Sequence, residues 1–397
     1  MRRIVRVSVI VAMVAVIAWL AFRESRKHRV RSLASECQIF ERSENWERLI
    51  RSAREWMRLE PESREARRSG ATAGRALHDP LAVNEFLEAF PRQLPEDAPS
   101  LSMLADLEFG PLNKPHQGAQ VCRDILQIIP NHQESHQRLI FYYAMTQQHI
   151  AMQTQIGEAI NNNCEMPEAY VYSFLGQGLR LRNGAPIVER WLSDDRDSEQ
   201  LLVAHALHIA QSLAGAIPSI DENTAAEMRR LQRVRESALA DLLTRFPDNT
   251  ELLAFHLQAA NQNGAAAEAG ELLSKAPPAA DNDYRFWHAR GWIFSRLYEY
   301  DEAEGSYRRG LKLHTLDWRI RFHLAELLRA TGRLEEADKM NQIAVFGRGL
   351  ERELLARPDM RSVPSEIYER LADYARQCEA DVMARHMFEF LSGSFHK

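Results

Sequence analysis

Cysteine is scarce. The four, Cys37, Cys122, Cys164 and Cys378, form no C-x-x-C pair, so neither a zinc site nor a disulfide framework is indicated. Glycine (18) and proline (16) are few for 397 residues, which argues against many short strands joined by tight turns. A basic surplus is missing as well: 50 Lys and Arg stand against 55 Asp and Glu, a net charge of −5. Nucleic acid is therefore not expected as a partner, because phosphate binding needs basic surface. No G-x-x-x-x-G-K, G-x-S-x-G or C-x-x-C-H stretch occurs. GQGLRLRNG, residues 176–184, lacks the third glycine of a dinucleotide loop and no strand precedes it. His132 and His136 (i, i+4) and His205 and His208 (i, i+3) could share helix faces, yet neither pair reads H-E-x-x-H. Packing or solvated surface explains them better than a metal. With no surviving set of acid, base and nucleophile, the chain is expected to be neither an enzyme nor a cofactor carrier.

What is abundant is Leu, Ala, Glu, Arg and Gln, all good helix formers. An all-α chain follows. Its start, MRRIVRVSVIVAMVAVIAWLAFRESRKHRVR, holds sixteen uncharged residues at 7–22, about 24 Å of helix against a hydrocarbon core of about 30 Å. Arg2, Arg3 and Arg6 flank it on one side, and Arg23, Arg26, Lys27, Arg29 and Arg31 on the other. No A-x-A-like cleavage site follows, so the stretch reads as one transmembrane helix, an uncleaved anchor in the inner (cytoplasmic) membrane. Both flanks are basic, and the side of the membrane stays open.

Further on, residues recur at a step of 34: Leu253, Trp287 and Arg321; Leu257, Gly291 and Ala325; Ala269, Ala303 and Ala337; Leu273, Tyr307 and Asn341; Ala276, Gly310 and Ala344. Within one block Trp287, Gly291 and Phe294 lie at i, i+4 and i+7, and Ala303, Tyr307 and Gly310 repeat that spacing. Each block is thus two amphipathic helices. Neither can bury its stripe alone, so neighbours must stack. The crowded rings of RFWHARGWIFSRLYEYDEAEGSYRRG are mostly interior on this reading, with Trp292 and Phe286 as the exceptions.

This pattern resembles the tetratricopeptide repeat, W-x2-L-G-x2-Y…A-x3-F…A…P. Trp287, Gly291, Phe294, Ala303, Tyr307 and Gly310 match, while Arg290 and Thr315 depart from it. The spacings return at Tyr368, Leu371, Ala372, Ala375, Ala384, Phe388 and Leu391 after thirteen extra residues, and at Trp46, Leu49, Ala53 and Trp56. Eight to ten repeats are counted. The resemblance implies a right-handed superhelix of stacked helical hairpins preceded by the one transmembrane helix. Its expected divisions are an anchor at 1–29, degenerate repeats at 30–249 with a proline-rich irregular segment at 90–117, three in-register repeats at 250–347, and an insert plus a last hairpin at 348–397. The insert, residues 349–364, is expected to add a helix.

In such proteins the first helices line a concave face that holds peptides or partner proteins. By position that face comprises Gln258, Asn261, His288, Trp292, Arg296, Arg319, Phe322, His323, Glu326 and Arg329. The lysine–asparagine clamp for chaperone tails is not reproduced at Ala254/Gln258, His288/Trp292 or Phe322/Glu326. The implied role is a membrane-tethered, non-catalytic scaffold for a protein or peptide, fitting cell-envelope assembly. The alternative is an accessory subunit of a membrane enzyme complex.

Overall fold

Helix starts are set by short polar side chains. Asn249, Asp283 and Asp317 stand 34 residues apart, and each accepts backbone N–H groups of the helix it precedes. That satisfies donors which the first turn leaves unpaired. Turns recur at the same step within three runs: Glu44 and His78, Asn113 and Gln147, and Gly264, Tyr298 and Gly332. Left-handed residues occur at Glu44, His78, Asn113, Gln147, Gly264, Tyr298, Gly332 and Glu379, each between two paired helices. Five residues past each of them the residue is buried: Leu49, Val83, Gly118, Met152, Ala269, Ala303, Ala337 and Ala384. Cap, turn and packing position keep this period within each run, and the helices fold back as hairpins.

The computed structural model describes residues 2–181, 183–213, 230, 234, 237–357 and 363–392, without the side chains of 2–12, 14 and 15. Every regular element among them is helical. The chain divides into two compact units, Met1–Pro130 and Asn131–Lys397.

The first unit holds α1 (Arg2–Arg42), α2 (Trp46–Leu59), α3 (Arg64–Ala76), α4 (Pro80–Leu87), α5 (Ala98–Phe109) and α6 (Pro115–Ile128), paired in sequence as three hairpins. Gly70 lies so near the Phe86 ring that a Cβ would come within 2.3 Å of it, which lets α3 and α4 approach closely. Residues 90–117, expected to be irregular, carry α5, the start of α6 and a 3-10 turn at Pro95–Asp97. Pro95, Pro99 and Pro115 sit in first turns, where the missing N–H costs nothing. Proline begins these helices rather than breaking them. Asp97 is fully buried and takes Arg64 at 2.9 Å and the Leu94 N–H at 3.0 Å.

The expected inner-membrane anchor is corrected here. Among the described residues no helix is long and apolar enough to cross a membrane. The apolar stretch is the start of a single 41-residue helix, α1. That helix continues into a charged half, where Leu33 and Cys37 are buried and Arg29 holds Glu55 through two 2.9 Å hydrogen bonds. The side chains at 7–12, 14 and 15, part of the expected span, lie outside those described.

The second unit begins with α7 (Gln133–Met145), α8 (His149–Asn161) and α9 (Pro167–Leu175). A 3-10 turn at Gly176–Gly178 follows, then α10 (Gly184–Leu192) packed on α11 (Glu199–Leu213). Next come four hairpins: α12 (Thr250–Asn263) with α13 (Ala266–Ser274), α14 (Tyr284–Arg296) with α15 (Tyr300–Leu313), α16 (Trp318–Ala330) with α17 (Leu334–Leu355), and α18 (Ser365–Gln377) with α19 (Asp381–Leu391). The insert at 349–364 adds no separate helix among its described residues; α17 runs on through it to Leu355. This unit also closes on itself. Ile140, Met152, Tyr170 and Phe174 share one buried cluster with Leu350, Leu371, Tyr374 and Met387. The Phe174 and Tyr374 rings meet edge-on at 5.3 Å, and Glu165 accepts from Tyr170 and pairs with His386, both at 2.7 Å. An ideal linear array would make only neighbour contacts, so α8 and α9 give the last hairpin a second face to bury.

One substitution should have opposite signs at two glycines. Gly332, at φ 80°, and helical Gly305 each have only open space where a Cβ would stand. Gly332→Ala is expected to destabilise by about 1 kcal/mol through the left-handed backbone, and Gly305→Ala to stabilise by about 1 kcal/mol through helix propensity. Urea unfolding of the two variants checks both.

Candidate functional site

Equal register on α12, α14 and α16 brings three sets of side chains to one face: 251/285/319, 254/288/322 and 258/292/326. The first set builds an ionic ladder. Arg285, 6% exposed, donates to Asp283 Oδ2 and to Glu251 Oε2, both at 2.6 Å. His149, at the start of α8, reaches the same Glu251 oxygen at 2.8 Å. Burial alone would raise the Glu251 carboxyl, but Arg285 and His149 outweigh it and hold it down to about 2. Arg319 pairs with Glu351 Oε1, and Trp318 Nε1 donates to Glu351 Oε2 at 3.0 Å. Burial opposes the Arg319 charge, yet Glu351 and Asp317 raise its pKa above the ordinary value.

In front of the ladder lies a pocket of about 280 Å³. Six of the ten expected groove residues line it: Gln258, Asn261, His288, Arg319, Phe322 and His323. The other four do not. Trp292 is 9% exposed and packs with Leu257, Ala260, Phe286 and Ala289. Phe286, the other ring in question, is fully buried in the same cluster. Arg296 and Glu326 are exposed outside the pocket, and exposed Arg329 faces Asp338 at 3.4 Å.

Gln177, Gln262, Arg285, Trp318 and Arg348 complete the polar and aromatic lining, and sequence reasoning missed them. Arg285 had a signal, since Glu251 and Arg285 are opposite charges one repeat apart. Arg348 and its neighbour Glu351 stand on the α17 extension, beyond the periodic part. Gln177 comes from the 3-10 turn, which lies against α14 and α17. Its N–H donates to Tyr284 Oη at 3.2 Å, and a Cβ on Gly178 would fall 2.3 Å from Glu351 Oε1.

The pocket histidines are neutral partners. His288 Nε2 and His323 Nδ1 are hydrogen-bonded at 3.2 Å. Burial first, then His288, push the His323 ring down to about 3, and burial also lowers His288. The cysteines are all buried, and burial raises Cys37 and Cys164 to about 11, which keeps the thiols protonated. His136 bonds Gln155 at 2.7 Å and His208 bonds the Met145 carbonyl at 2.7 Å. Among the described residues no group of three His, Cys, Asp or Glu could hold a metal.

No known family's sequence profile matches this chain, and neither does any curated protein. A tetratricopeptide repeat protein from Parabacteroides merdae ATCC 43184 is similar in structure over 76% of this chain and 99% of its own, at 14% identity and a TM-score of 0.28. Yeast Tom70 is similar over 93% of this chain and 96% of its own, at 14% identity and a TM-score of 0.28. The human IFIT1 dimer with m7Gppp-AAAA is similar over 90% and 75%, at 13% identity and a TM-score of 0.32. Scores of this size superpose no site. The hairpin assignment rests on the recurring caps, turns and buried positions of the chain itself.

Two outcomes follow for stability. Trp292→Ala should cost about 3 kcal/mol or more, as removal of a buried ring does, whereas Arg329→Ala should stay within about 0.5 kcal/mol; denaturant unfolding separates them. The second concerns pH. A histidine whose folded pKa lies below its unfolded value of about 6.5 adds stability that is complete above pH 6.5 and is lost as pH falls toward 3. Thermal unfolding measured from pH 7.5 down to 4.5 should show this decline, and His323→Gln should flatten it.

Proposed function

We propose that this chain is a helical-repeat scaffold that takes a segment of a partner protein into the pocket fronting α12, α14 and α16. The observation that carries this reading is the convergence of six groove positions from three consecutive first helices on one cavity. Concave sites with a mixed apolar and polar lining are where ligands dock. The chemistry of the lining favours holding over reacting. It contains no Asp or Glu. Arg285 and Arg319 are engaged by carboxylates behind them, and His288 and His323 by each other. The side-chain amides of Gln258, Asn261 and Gln262 have no protein partner among the described residues, and an amide offers both a donor and an acceptor to a peptide group.

The test is positional. A photo-crosslinking residue placed at Phe322, in the pocket, should give a discrete protein adduct that is lost in a Gln258→Ala/Asn261→Ala background. The same probe at Tyr298, on an exposed hairpin turn, should give none. Equal adducts from both positions, or none from Phe322, would count against the pocket as the docking site.

A further inference from the structure

Two guanidinium groups flank one indole in the pocket wall. Arg319 Cζ lies 4.6 Å from the centroid of the Trp318 ring, and Arg348 Cζ lies 5.9 Å from it. One carboxylate serves this cluster. Glu351 gives one oxygen to Arg319 and the other to the Trp318 N–H, and makes no ion pair with Arg348. Among the described residues Arg348 has no carboxylate partner, and its guanidinium lies near the Trp318 ring. The third arginine of the lining, Arg285, is saturated by Asp283 and Glu251. The wall therefore presents a single uncompensated cation, beside an aromatic ring, in a lining without any acid. A guanidinium with no ion pair keeps its N–H edge available for a planar, two-oxygen acceptor.

Resting on the docking role proposed above, we infer that the pocket selects a partner segment bearing one carboxylate, held by Arg348 beside Trp318, while the amides of Gln258 and Asn261 take the adjoining peptide groups. Charge complementarity sets the number of anions at one. Nucleic acid, with a charge on every nucleotide, would need several free cations, and this lining has one. The cavity, at about 280 Å³, lies at the small end for a ligand site and admits side chains of a segment rather than a folded surface.

The experiment uses the full chain and an array of acetylated, amidated hexapeptides, each made twice, with Glu or Gln at one central position. A third arm leaves the C-terminal carboxylate free on the Gln peptides, and a fourth is single-stranded poly(U) RNA. Glu peptides, or Gln peptides with a free terminus, should bind about ten- to a hundredfold more tightly than amidated Gln peptides, as for a hydrogen bond to a charged group. Arg348→Gln should erase that difference, and Arg348→Lys should restore part of it. Arg348 is exposed, so circular dichroism of both variants should match the parent. Equal binding of Glu and amidated Gln peptides would overturn the carboxylate and leave the docking role standing. Binding of no peptide at all would overturn both. Poly(U) bound more tightly than any peptide, and released by Arg348→Gln, would overturn the inference in favour of nucleic acid.

Discussion

A buried guanidinium tolerates no half-measures. With Arg285 only 6% exposed, its charge is sustainable only while Asp283 and Glu251 stay within hydrogen-bond reach. Asp283 is also the cap that starts α14, and Glu251 lies in the first turn of α12. His149, at the start of α8, joins through the same carboxylate. One cation thus fixes the relative placement of α12 and α14 and, through the shared Glu251, of α8, whose His149 lies 102 residues earlier in the chain. The pocket wall inherits that placement, because Arg285 is itself part of the lining.

The closure of the second unit follows from the same economy. A terminal hairpin in a stacked array has one face without a neighbour. Here α18 and α19 meet α8 and α9 instead, and Tyr374 is fully buried against Phe174 while its hydroxyl donates to the Leu316 carbonyl at 2.9 Å. The cavity in front of α12, α14 and α16 is accordingly walled on one side by Gln177, contributed by the chain's own turn. A fully open groove would run past all the first helices. This one ends.

Much of the repeat was legible because it depends on periodic residues. Ala269, Ala303 and Ala337 fall at one step and are all fully buried, so counting by 34 finds them. The hairpin of α3 and α4 escaped because its second helix is only eight residues long and its close contact, Gly70 with Phe86, sits one residue off the common register. Proline misled in 90–117, where the same residue that stops a helix also starts one. Among the groove positions, the pattern identifies which side chains share a helix face but not how far that face turns into the core. Trp292 turned inward and Phe322 did not. Arg348 and Gln177 lie off the period altogether, and only tertiary structure brings them to the site. The apolar start suggested a lipid environment by composition, whereas its helix carries on unbroken into a half that packs by burying Leu33 and Cys37.

Gly176 and Gly178 flank the residue that walls the cavity, and each lies where any side chain would strike something already committed. A Cβ on the first would meet the Tyr284 hydroxyl at 2.7 Å, and on the second the Glu351 carboxylate. The loop and the hairpins more than a hundred residues downstream are therefore tied together by close packing. A side chain at either glycine would displace the turn that carries Gln177, and compensating changes would be sought in α14 and α17, which hold Tyr284 and Glu351, rather than beside it.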